Sequence, residues 1–454
     1  MRCAASRTIA VALTVLGSGA RPALAETPVP PGVTGEEPPC GWSEGIEAGP
    51  RQQLLIARRK AKCEEVRSYE PALLERQILL FEQAERPPIT RWNLFGLYPR
   101  VQSIDHRSQW AGGLRFWRPD LGESRFDLNG SAFWSLQGFQ YYEAQAGFLP
   151  HRGASFPLFS YKTDDVFELP NVGQDDDVPY MAYGSFGYRW APKFDYFGTG
   201  PDSELEDQAD FRQKDTLVEA VAGYRVMKRL TVVGRVGHYR ASIGPGEDED
   251  LPQIEDVFPP SEVPGFGSKP DFVRYGLAGI LDGRDVPRNP HRGGLLAAQW
   301  MRWDHRDGSE FSFDRLAIDA RGYLALGHPQ RVLAARAYFS RDVPLDEGGR
   351  VPFYLLAFLG NSHTLRGYAS QRFRGEKLLL LQAEYRIEAS PAIEVALFVD
   401  SGAVAARSED SLERFQTDGG VGLRFKTHEL TAVRADFAWG TDGFKFLFRF
   451  SPSF

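Results

Sequence analysis

The sequence lacks the features that are typical of helical membrane proteins, of basic nucleic-acid-binding proteins and of wholly disordered proteins. It holds 3 cysteines and 4 methionines among 454 residues. After residue 25 no run of about 18 apolar residues occurs, which excludes a helical membrane protein. Lys and Arg number 53 against 60 Asp and Glu, a formal net charge of −7, so no basic surplus favours nucleic acid as a partner. Hydrophobic residues make up 42% of the chain, too many for a wholly disordered protein.

The N-terminus has the order of parts that a secretory signal peptide shows. The basic residues Arg2 and Arg7 precede an apolar stretch, and Ala23 and Ala25 form the small-residue pattern that signal peptidase cuts. We therefore predict that residues 1–25 are a signal peptide and that the mature chain leaves the cytoplasm.

A short segment of different amino-acid composition follows the predicted cleavage site. Residues 51–86 are rich in Arg, Lys, Glu, Gln and Leu, with apolar positions near helical spacing, and a Pro-Pro pair ends the pattern. Cys40 and Cys63 are the two cysteines left after cleavage, and an even pair in an oxidising compartment predicts a disulfide. We predict that residues 26–90 form a helical periplasmic segment that this disulfide clips.

From about residue 91 to the end, apolar and polar residues alternate with the period of two that is typical of β-strands. In the last segment Phe444 and Phe446 share one face, whereas Lys445 and Arg449 lie on the other. Further apolar faces of this kind are formed by Val433, Ala435, Phe437 and Trp439, by Leu379, Leu381, Ala383, Tyr385 and Ile387, and by Val218, Ala220, Ala222, Tyr224 and Val226.

A β-sandwich in water would alternate in the same way, so three further observations decide between the two folds. The strands are long enough for a tilted membrane crossing of roughly 9 to 11 residues. Charged residues stand mid-strand on the polar face, and aromatic residues collect near strand ends, as they do around a wet lumen and at membrane interfaces. We predict an all-β fold, a transmembrane antiparallel β-barrel of about 16 strands over residues 91–454.

The connections alternate between short and long in the second half of the chain, as short periplasmic turns and longer external loops do. The tight turns are predicted at residues 227–229, 327–330, 388–391 and 426–429, and the long loops at 243–269, 342–375 and 402–415. Residues 149–180 leave the strand count open, because an additional strand there would make the segment near residue 98 a lead-in.

Four segments carry a resemblance to a known family. They are Asp282 to Gly293, Leu365-Arg366-Gly367-Tyr368, Phe398-Val399-Asp400-Ser401-Gly402 and, more weakly, Tyr196 to Ser203. In their order and spacing they resemble motifs of the BamA/TamA outer-membrane barrel superfamily, also called the bacterial surface antigen family. The resemblance covers roughly residues 92–454. It does not extend to the family's periplasmic repeats, the POTRA domains, because only about 65 residues separate Ala25 from the predicted barrel.

The resemblance implies a contact between a loop and a strand inside the lumen. In the family the loop that contains the Arg-Gly-aromatic motif folds back into the barrel, and its arginine meets the aspartate of the strand motif. A guanidinium and a carboxylate in a restricted lumen form a charge-assisted pair. We therefore expect Arg366 to bind Asp400. The site as a whole is expected to comprise Arg366, Gly367, Tyr368, Asp400, Gly402 and Glu384, with Arg386 as a network neighbour of Glu384.

The segment from residue 282 to 293 allows two interpretations. Its residues Asp282, Arg284, Asp285, Pro287, Pro290 and Gly293 match the family's turn motif. They are also residues that form turns in any protein, and this reading stands level with a functional one. The acidic runs at 175–177 and 247–250 are interpreted as solvated loops.

The C-terminus resembles the sorting signal by which the barrel assembly machinery recognises its clients. Phe446, Phe448, Phe450 and Phe454 supply the alternating and terminal aromatic residues. Pro452 departs from the pattern because it cannot donate a strand hydrogen bond.

No catalytic constellation, metal site or cofactor motif is recognised in the sequence, so we do not expect an enzyme. The resemblance implies an outer-membrane protein that assists the insertion or translocation of proteins or lipids through a lateral seam. The implied partners are outer-membrane lipids and lipopolysaccharide, client proteins or a periplasmic partner, and the assembly machinery that inserts the barrel. The alternative is a passive pore or structural barrel without insertase activity.

The predicted disulfide is open to a direct test. In mature protein purified without reductant, Cys40 and Cys63 should resist thiol labelling until dithiothreitol is added, because the pair would be oxidised in the periplasm. Labelling of both thiols before reduction would contradict the disulfide.

Overall fold

The structure is a computed structural model, which describes residues 95–149, 179–287, 289–308, 310–327, 330–390, 392–426 and 431–449. The predictions for residues 1–90, namely the signal peptide, the helical segment and the Cys40–Cys63 disulfide, lie outside the described residues. So do Phe450 and Phe454 of the sorting signal and the acidic run at 175–177. In the described ranges no helix has the length and apolar character needed to cross a membrane.

Sixteen antiparallel strands form one sheet, in which each strand pairs with its neighbours along the chain. The first eight are β1 (Leu97–Gln102), β2 (Ala111–Arg118), β3 (Asp127–Ser135), β4 (Gln140–Phe148), β5 (Tyr180–Tyr196), β6 (Ala209–Met227), β7 (Leu230–Pro245) and β8 (Asp271–Asp282). After β9 (Gly293–His305), β10 (Phe313–Ala325) and β11 (Arg331–Pro344), a separate hairpin pairs β12 (Ala357–Leu359) with β13 (Phe373–Gly375). The sheet resumes with β14 (Lys377–Ser390), β15 (Ile393–Ala405), β16 (Gln416–Lys426), β17 (Thr431–Gly440) and β18 (Gly443–Arg449).

The predicted count of about 16 strands is confirmed, and the segment near residue 98 is a strand of the sheet. Three consecutive strands are the longest of the sheet and exceed a membrane crossing by several residues. β5, β6 and β7 have 17, 19 and 16 residues, against roughly 9 to 11 for a tilted crossing. The connections between β7 and β8 and between β11 and β14 are long, and we call the end of the barrel where they lie the long-loop end.

The two faces of the sheet differ in chemistry as the alternation predicts. On β15, Leu397 and Val399 are exposed, whereas their neighbours Phe398 and Asp400 are buried. The same contrast holds on β6, where Val218 is exposed and Glu219 is buried. Most of the charged side chains buried on the inner face are paired with one another, which offsets the cost of taking them out of water.

The loop between β11 and β14, residues 345–376, lies against the inner face of the sheet, and we call it the lumen loop. Arg374 Nη2 donates to the Asp195 carbonyl of β5 at 3.3 Å, and Arg434 Nη2 of β17 donates to the Ser362 carbonyl at 2.7 Å. Because a single loop contacts inner faces from β5 to β17, the sheet curves around it.

An aromatic cluster packs beneath the long-loop end. The Phe353 ring of the lumen loop lies 5.0 Å from the Tyr196 ring and 4.9 Å from the Phe211 ring, centroid to centroid. Phe258, from the loop between β7 and β8, packs on Tyr196 at 4.8 Å. The added length of β5 and β6 thus carries aromatic residues that bury the base of two loops.

The orientation of β15 predicts how its outward face tolerates charge. Leu397→Arg should destabilise the folded barrel in lipid vesicles by about 2–4 kcal/mol, because Leu397 lies mid-strand on the outward face. The measurement is urea unfolding followed by tryptophan fluorescence. Leu205→Arg, in the loop between β5 and β6, is the matched control and should have little effect. Equal losses in both variants would contradict a lipid-facing Leu397.

Candidate functional site

The guanidinium of Arg366 lies at the centre of the candidate site. Its Nε and Nη2 donate to the two carboxylate oxygens of Asp400 at 2.6 and 2.8 Å, a bidentate pair. Its Nη1 donates to Glu384 Oε1 at 2.8 Å. The face of Phe398 covers the group, with Cζ 3.5 Å from the ring centroid. All of these side chains are buried, so the guanidinium is bound on its edges and one face.

Two neighbouring strands position the carboxylates. Asp400 and Phe398 lie on the inner face of β15, two residues apart, and Glu384 lies on the inner face of β14. In the register of the pair, Glu384 is opposite Phe398, and Gln382 is opposite Asp400. The period of two along each strand therefore brings both carboxylates to the same patch of lumen wall.

The ion pairs continue from this patch to β16 and β17. Arg424 Nη2 lies 2.7 Å from Glu384 Oε1, and Arg386 Nη2 lies 2.9 Å from Glu384 Oε2. Arg434 Nε is 2.9 Å from Asp436, whose Oδ2 is 3.7 Å from Arg366 Nη1. The resulting charge network joins the guanidinium groups of Arg366, Arg386, Arg424 and Arg434 to the carboxylates of Glu384, Glu394, Asp400 and Asp436. Lys426, which pairs with both Glu394 and Glu388, extends this network, and the two charges remain equal in number when that pair is included.

Gly367 allows the lumen loop to approach β16 and β17 closely. A Cβ at this position would lie 2.7 Å from the Gly440 nitrogen and 2.8 Å from the Asp418 Cβ, closer than real contacts. On one side of it Arg366 enters the charge network, and on the other the Tyr368 hydroxyl donates to the Thr417 carbonyl at 3.2 Å. Any side chain at residue 367 would push the loop off the wall.

The other predicted glycine of the site also lies at a close approach. A Cβ on Gly402 would stand 2.7 Å from Leu359 Cδ1 of β12. Leu359 is fully buried, and the end of a leucine side chain can shift. Gly402 thus lets the β12–β13 hairpin lie against β15.

Residues that the sequence analysis did not name hold the tip of the lumen loop. Arg336 Nη1, on β11, donates to the His363 carbonyl at 3.2 Å, while its Nη2 lies 2.9 Å from Asp319 of β10. Gln382 Nε2 donates to the Thr364 carbonyl at 3.0 Å. Arg336 and Asp319 alternate with apolar residues on their strands, which places them on the inner face. The alternation does not show which loop they contact.

The segment from residue 196 to 203, the weaker motif, lies under the lumen loop. The Gly200 nitrogen donates to the Arg374 carbonyl at 2.7 Å, and the Ser203 Oγ donates to the Arg372 carbonyl at 3.2 Å. Gly198 and Gly200 have φ of 92° and 106°, where a side chain would be strained. The segment therefore supports the loop from the β5 side.

The turn motif lies at the other end of the barrel, between β8 and β9. Arg284 Nε and Nη2 donate to the Asp282 carboxylate at 2.9 and 2.7 Å, and its Nη1 donates to the Pro287 carbonyl at 2.9 Å. Asp285 Oδ1 accepts from the backbone nitrogens of Val286 and His291.

Gly293 and Pro290 end the same turn. Gly293 has φ 92°, and a Cβ there would be 2.1 Å from the Gly283 carbonyl oxygen, while Pro290 is buried. His291 Nε2 lies 3.1 Å from Glu388 Oε1, near the end of β14. The motif residues stabilise the backbone of their own turn. They do not contact Arg366 in the part of the chain that the structure describes. Of the predicted sorting signal, Phe446 and Phe448 are exposed on the outward face of β18.

The turn between β1 and β2 is anchored at the long-loop end. His106 Nε2 lies 2.7 Å from Asp195 Oδ2, and Arg107 pairs with both Asp195 and Asp248. Burial lowers the pKa of His106, but Asp105 and Asp195 outweigh it and raise this pKa to about 9. The first hairpin is thereby tied by ion pairs to β5 and to the loop after β7.

The chemistry of the charge network suits holding a loop in place. Arginine side chains do not release protons near neutral pH, and the carboxylates are occupied by arginine partners. Within the described parts of the chain, no group of three or more His, Cys, Asp or Glu side chains is arranged to bind a metal.

Comparisons with known proteins bear on this architecture. The sequence model of the Omp85 superfamily domain matches residues 182–454. No curated protein matches the sequence significantly. The structure of BamA from Haemophilus ducreyi lacking POTRA domains 1-3 is similar with a TM-score of 0.53 and 11% identity, covering 86% of this chain and 80% of that one. This likeness concerns the fold, and with it the predicted transmembrane β-barrel class is confirmed.

Two further structures are similar at lower scores. CdiB from Acinetobacter baumannii has a TM-score of 0.43 and 13% identity, over 76% of this chain and 54% of that one. CdiB from Escherichia coli has a TM-score of 0.46 and 11% identity, over 78% of this chain and 60% of that one. The chain spans less than two thirds of either CdiB chain.

Removal of the central guanidinium should release the lumen loop. Arg366→Ala leaves Asp400 and Glu384 buried without this partner and should cost about 3–5 kcal/mol. The expected readout is faster protease cleavage within residues 345–376. Arg414→Ala breaks the exposed pair with Asp202 and, as control, should cost at most about 1 kcal/mol. Equal protease resistance of wild type and Arg366→Ala would contradict the assignment.

The anchor of the first hairpin should depend on pH. Because the pKa of His106 is raised to about 9, its stabilising contribution is complete below the unfolded pKa of about 6.5. It is lost as the pH rises through 9. The urea midpoint of the wild type should therefore fall more between pH 7 and pH 10 than that of His106→Gln. Parallel curves for the two proteins would contradict the charged His106.

Proposed function

Because this chain belongs to the Omp85 superfamily, whose domain model matches residues 182–454, we propose that it inserts or translocates proteins or lipids at the bacterial outer membrane through a lateral seam. The family is one of outer-membrane insertases and translocators. The seam of the proposal lies between β1 and β18, the two ends of the sheet.

The pairing of the terminal strands is the observation that carries the proposal. β1 has 6 residues, whereas β6 has 19. In the described part of the chain, β1 pairs with β2 alone and β18 with β17 alone. An edge strand offers unpaired backbone groups to an incoming chain, which adds to the sheet as a further strand. A strand as short as β1 has few hydrogen bonds to exchange, so a seam at β1 is the easiest place to open.

The lumen loop supports the same site of opening by stiffening the wall beside it. Arg366 joins β14 and β15, Gly367 packs on β16 and β17, and the Ala369 nitrogen donates to Asp442 Oδ2, between β17 and β18, at 2.9 Å. The C-terminal wall is thereby bound into one unit up to the edge of β18. Movement is then concentrated at the junction of that unit with β1.

The alternative function is a passive pore or a structural barrel. The packing of the lumen loop opposes an open pore, because its residues occupy the interior from β5 to β17. Conductance in planar bilayers separates the two candidates: the proposal expects small currents, and a stable large conductance supports the pore. The proposal includes three further expectations. The protein acts on client proteins, it works with a periplasmic partner, and the barrel assembly machinery inserts it into the outer membrane.

Locking the seam tests the proposal in cells. Cysteine pairs that join outward positions of β1 (Leu97, Val101) to outward positions of β18 (Phe444, Phe448) should, once oxidised, impair growth and lower client levels in the outer membrane. The defect should be reversed by reductant, because only the covalent closure of the seam is responsible.

The matched control closes a strand pair that the proposal leaves shut. Ala383 and Val399 are register partners of β14 and β15 on the outward face, and a disulfide between them should have no effect. Normal growth and client levels with an oxidised seam, or equal defects with the control, would contradict lateral opening.

A further inference from the structure

The outward face of the barrel carries two cations near the long-loop end of β6. Arg212 and Lys214 lie two residues apart on this face, and Lys214 is exposed. The Arg212 Cζ lies 5.7 Å from the Trp190 ring centroid, and the Lys214 Nζ lies 5.8 Å from the Tyr188 centroid, both on β5. Among the described residues neither cation forms an ion pair. By contrast Arg240, on β7, is paired with Asp271.

Aromatic residues continue from this point across β4 and β3. The Tyr142 ring lies 5.6 Å from the Tyr188 ring, and Trp134 Nε1 donates to the Tyr142 hydroxyl at 2.8 Å. Outward Tyr and Trp side chains of this kind mark the interface between hydrocarbon and headgroups. The two cations therefore lie at headgroup level, on the side where the long loops of an outer-membrane barrel face the outside.

An apolar groove continues below the cations on the same face. It consists of two adjoining depressions, each with a volume near 760 Å³, that share Gly184 and Ala220 in their floor. Phe186 and Val218 rim one depression, and Leu277 and Trp300 rim the other. Small residues on β5 and β6 thus leave room between the bulky ones.

The groove and the cations are spaced as the two parts of a lipid are. Six residues separate Lys214 from Ala220 along β6, which is about 20 Å at the rise of an extended strand. One leaflet of the hydrocarbon core is roughly 15 Å thick. Acyl chains in the groove would therefore bring a headgroup to the level of Arg212 and Lys214.

We propose that this face binds one molecule of lipopolysaccharide, the phosphorylated, multiply acylated lipid of the outer leaflet. Its phosphates bind Arg212 and Lys214, its sugars stack against Trp190 and Tyr188, and its acyl chains fill the groove. Two adjacent cations without carboxylate partners suit a ligand with more than one phosphate. Two adjoining depressions suit more acyl chains than a single phospholipid carries. The site is independent of the seam.

Lipid retention by the purified full chain measures this binding. Protein reconstituted in phosphatidylcholine vesicles that contain either lipopolysaccharide or phosphatidylglycerol is extracted in mild detergent, and the retained lipid is quantified by mass spectrometry. The wild type should retain lipopolysaccharide in preference to phosphatidylglycerol. The double variant Arg212→Gln/Lys214→Gln should bind it roughly 10- to 30-fold more weakly, since each cation near a lipid surface contributes roughly a fivefold step.

Two further variants make the result decisive. Lys228→Gln/Arg229→Gln removes the same charge from the opposite end of the same strands and should retain lipopolysaccharide as the wild type does. Gly184→Leu places a bulky side chain in the floor that both depressions share while leaving the cations in place, and nothing lies within 4 Å of the position that its Cβ would take. It should also lose the lipid, and it decides the matter if the cation variant fails to fold.

Three outcomes would overturn the site. One is equal retention of both lipids by the wild type, which would indicate a general annular lipid. Another is undiminished lipopolysaccharide retention by Gly184→Leu or by the folded cation variant. The third is equal loss in the Lys228→Gln/Arg229→Gln control, which would indicate an effect of total charge.

Discussion

The bidentate contact between Arg366 and Asp400 is the interaction on which the interior depends. A guanidinium this deeply buried is costly unless each of its edges is bound, and Asp400, Glu384 and the Phe398 ring supply those partners. Its position also fixes that of the lumen loop, which in turn brings Phe353 into the aromatic cluster beneath the long-loop end. The Arg366 guanidinium, bound by residues of β14 and β15, thus connects the strands, the lumen loop and the aromatic cluster beneath the long-loop end.

The alternation of residues along each strand gives the two faces of the sheet opposite chemical character. The inner face pairs charges so that polar groups survive burial, and the outward face shows apolar side chains to lipid. The outward face is not uniform, however. Gly184 and Ala220 leave a groove, and Arg212 and Lys214 stand above it. The wall from β14 to the turn between β17 and β18, by contrast, is contacted from within by the lumen loop.

Most of the fold and part of the site follow from the sequence, for identifiable reasons. The period of two places Asp400, Glu384 and Arg386 on the inner face, because alternation is a local property of a strand. The contact of Arg366 with Asp400 is expected from the family resemblance alone, because no local sequence pattern shows where a loop packs against the strands. Arg336 and Arg434, which hold the loop tip, were missed because their partners are backbone carbonyls of Ser362 and His363. Such contacts depend on three-dimensional packing between distant segments.

The unequal lengths of the strands shape the outer rim of the barrel. β5, β6 and β7 have 17, 19 and 16 residues, whereas β14 and β15 have 14 and 13. A strand rises roughly 3.3 Å per residue, so β6 exceeds β15 by roughly 20 Å measured along the strand. The wall formed by β5, β6 and β7 is therefore longer than the wall formed by β14 and β15.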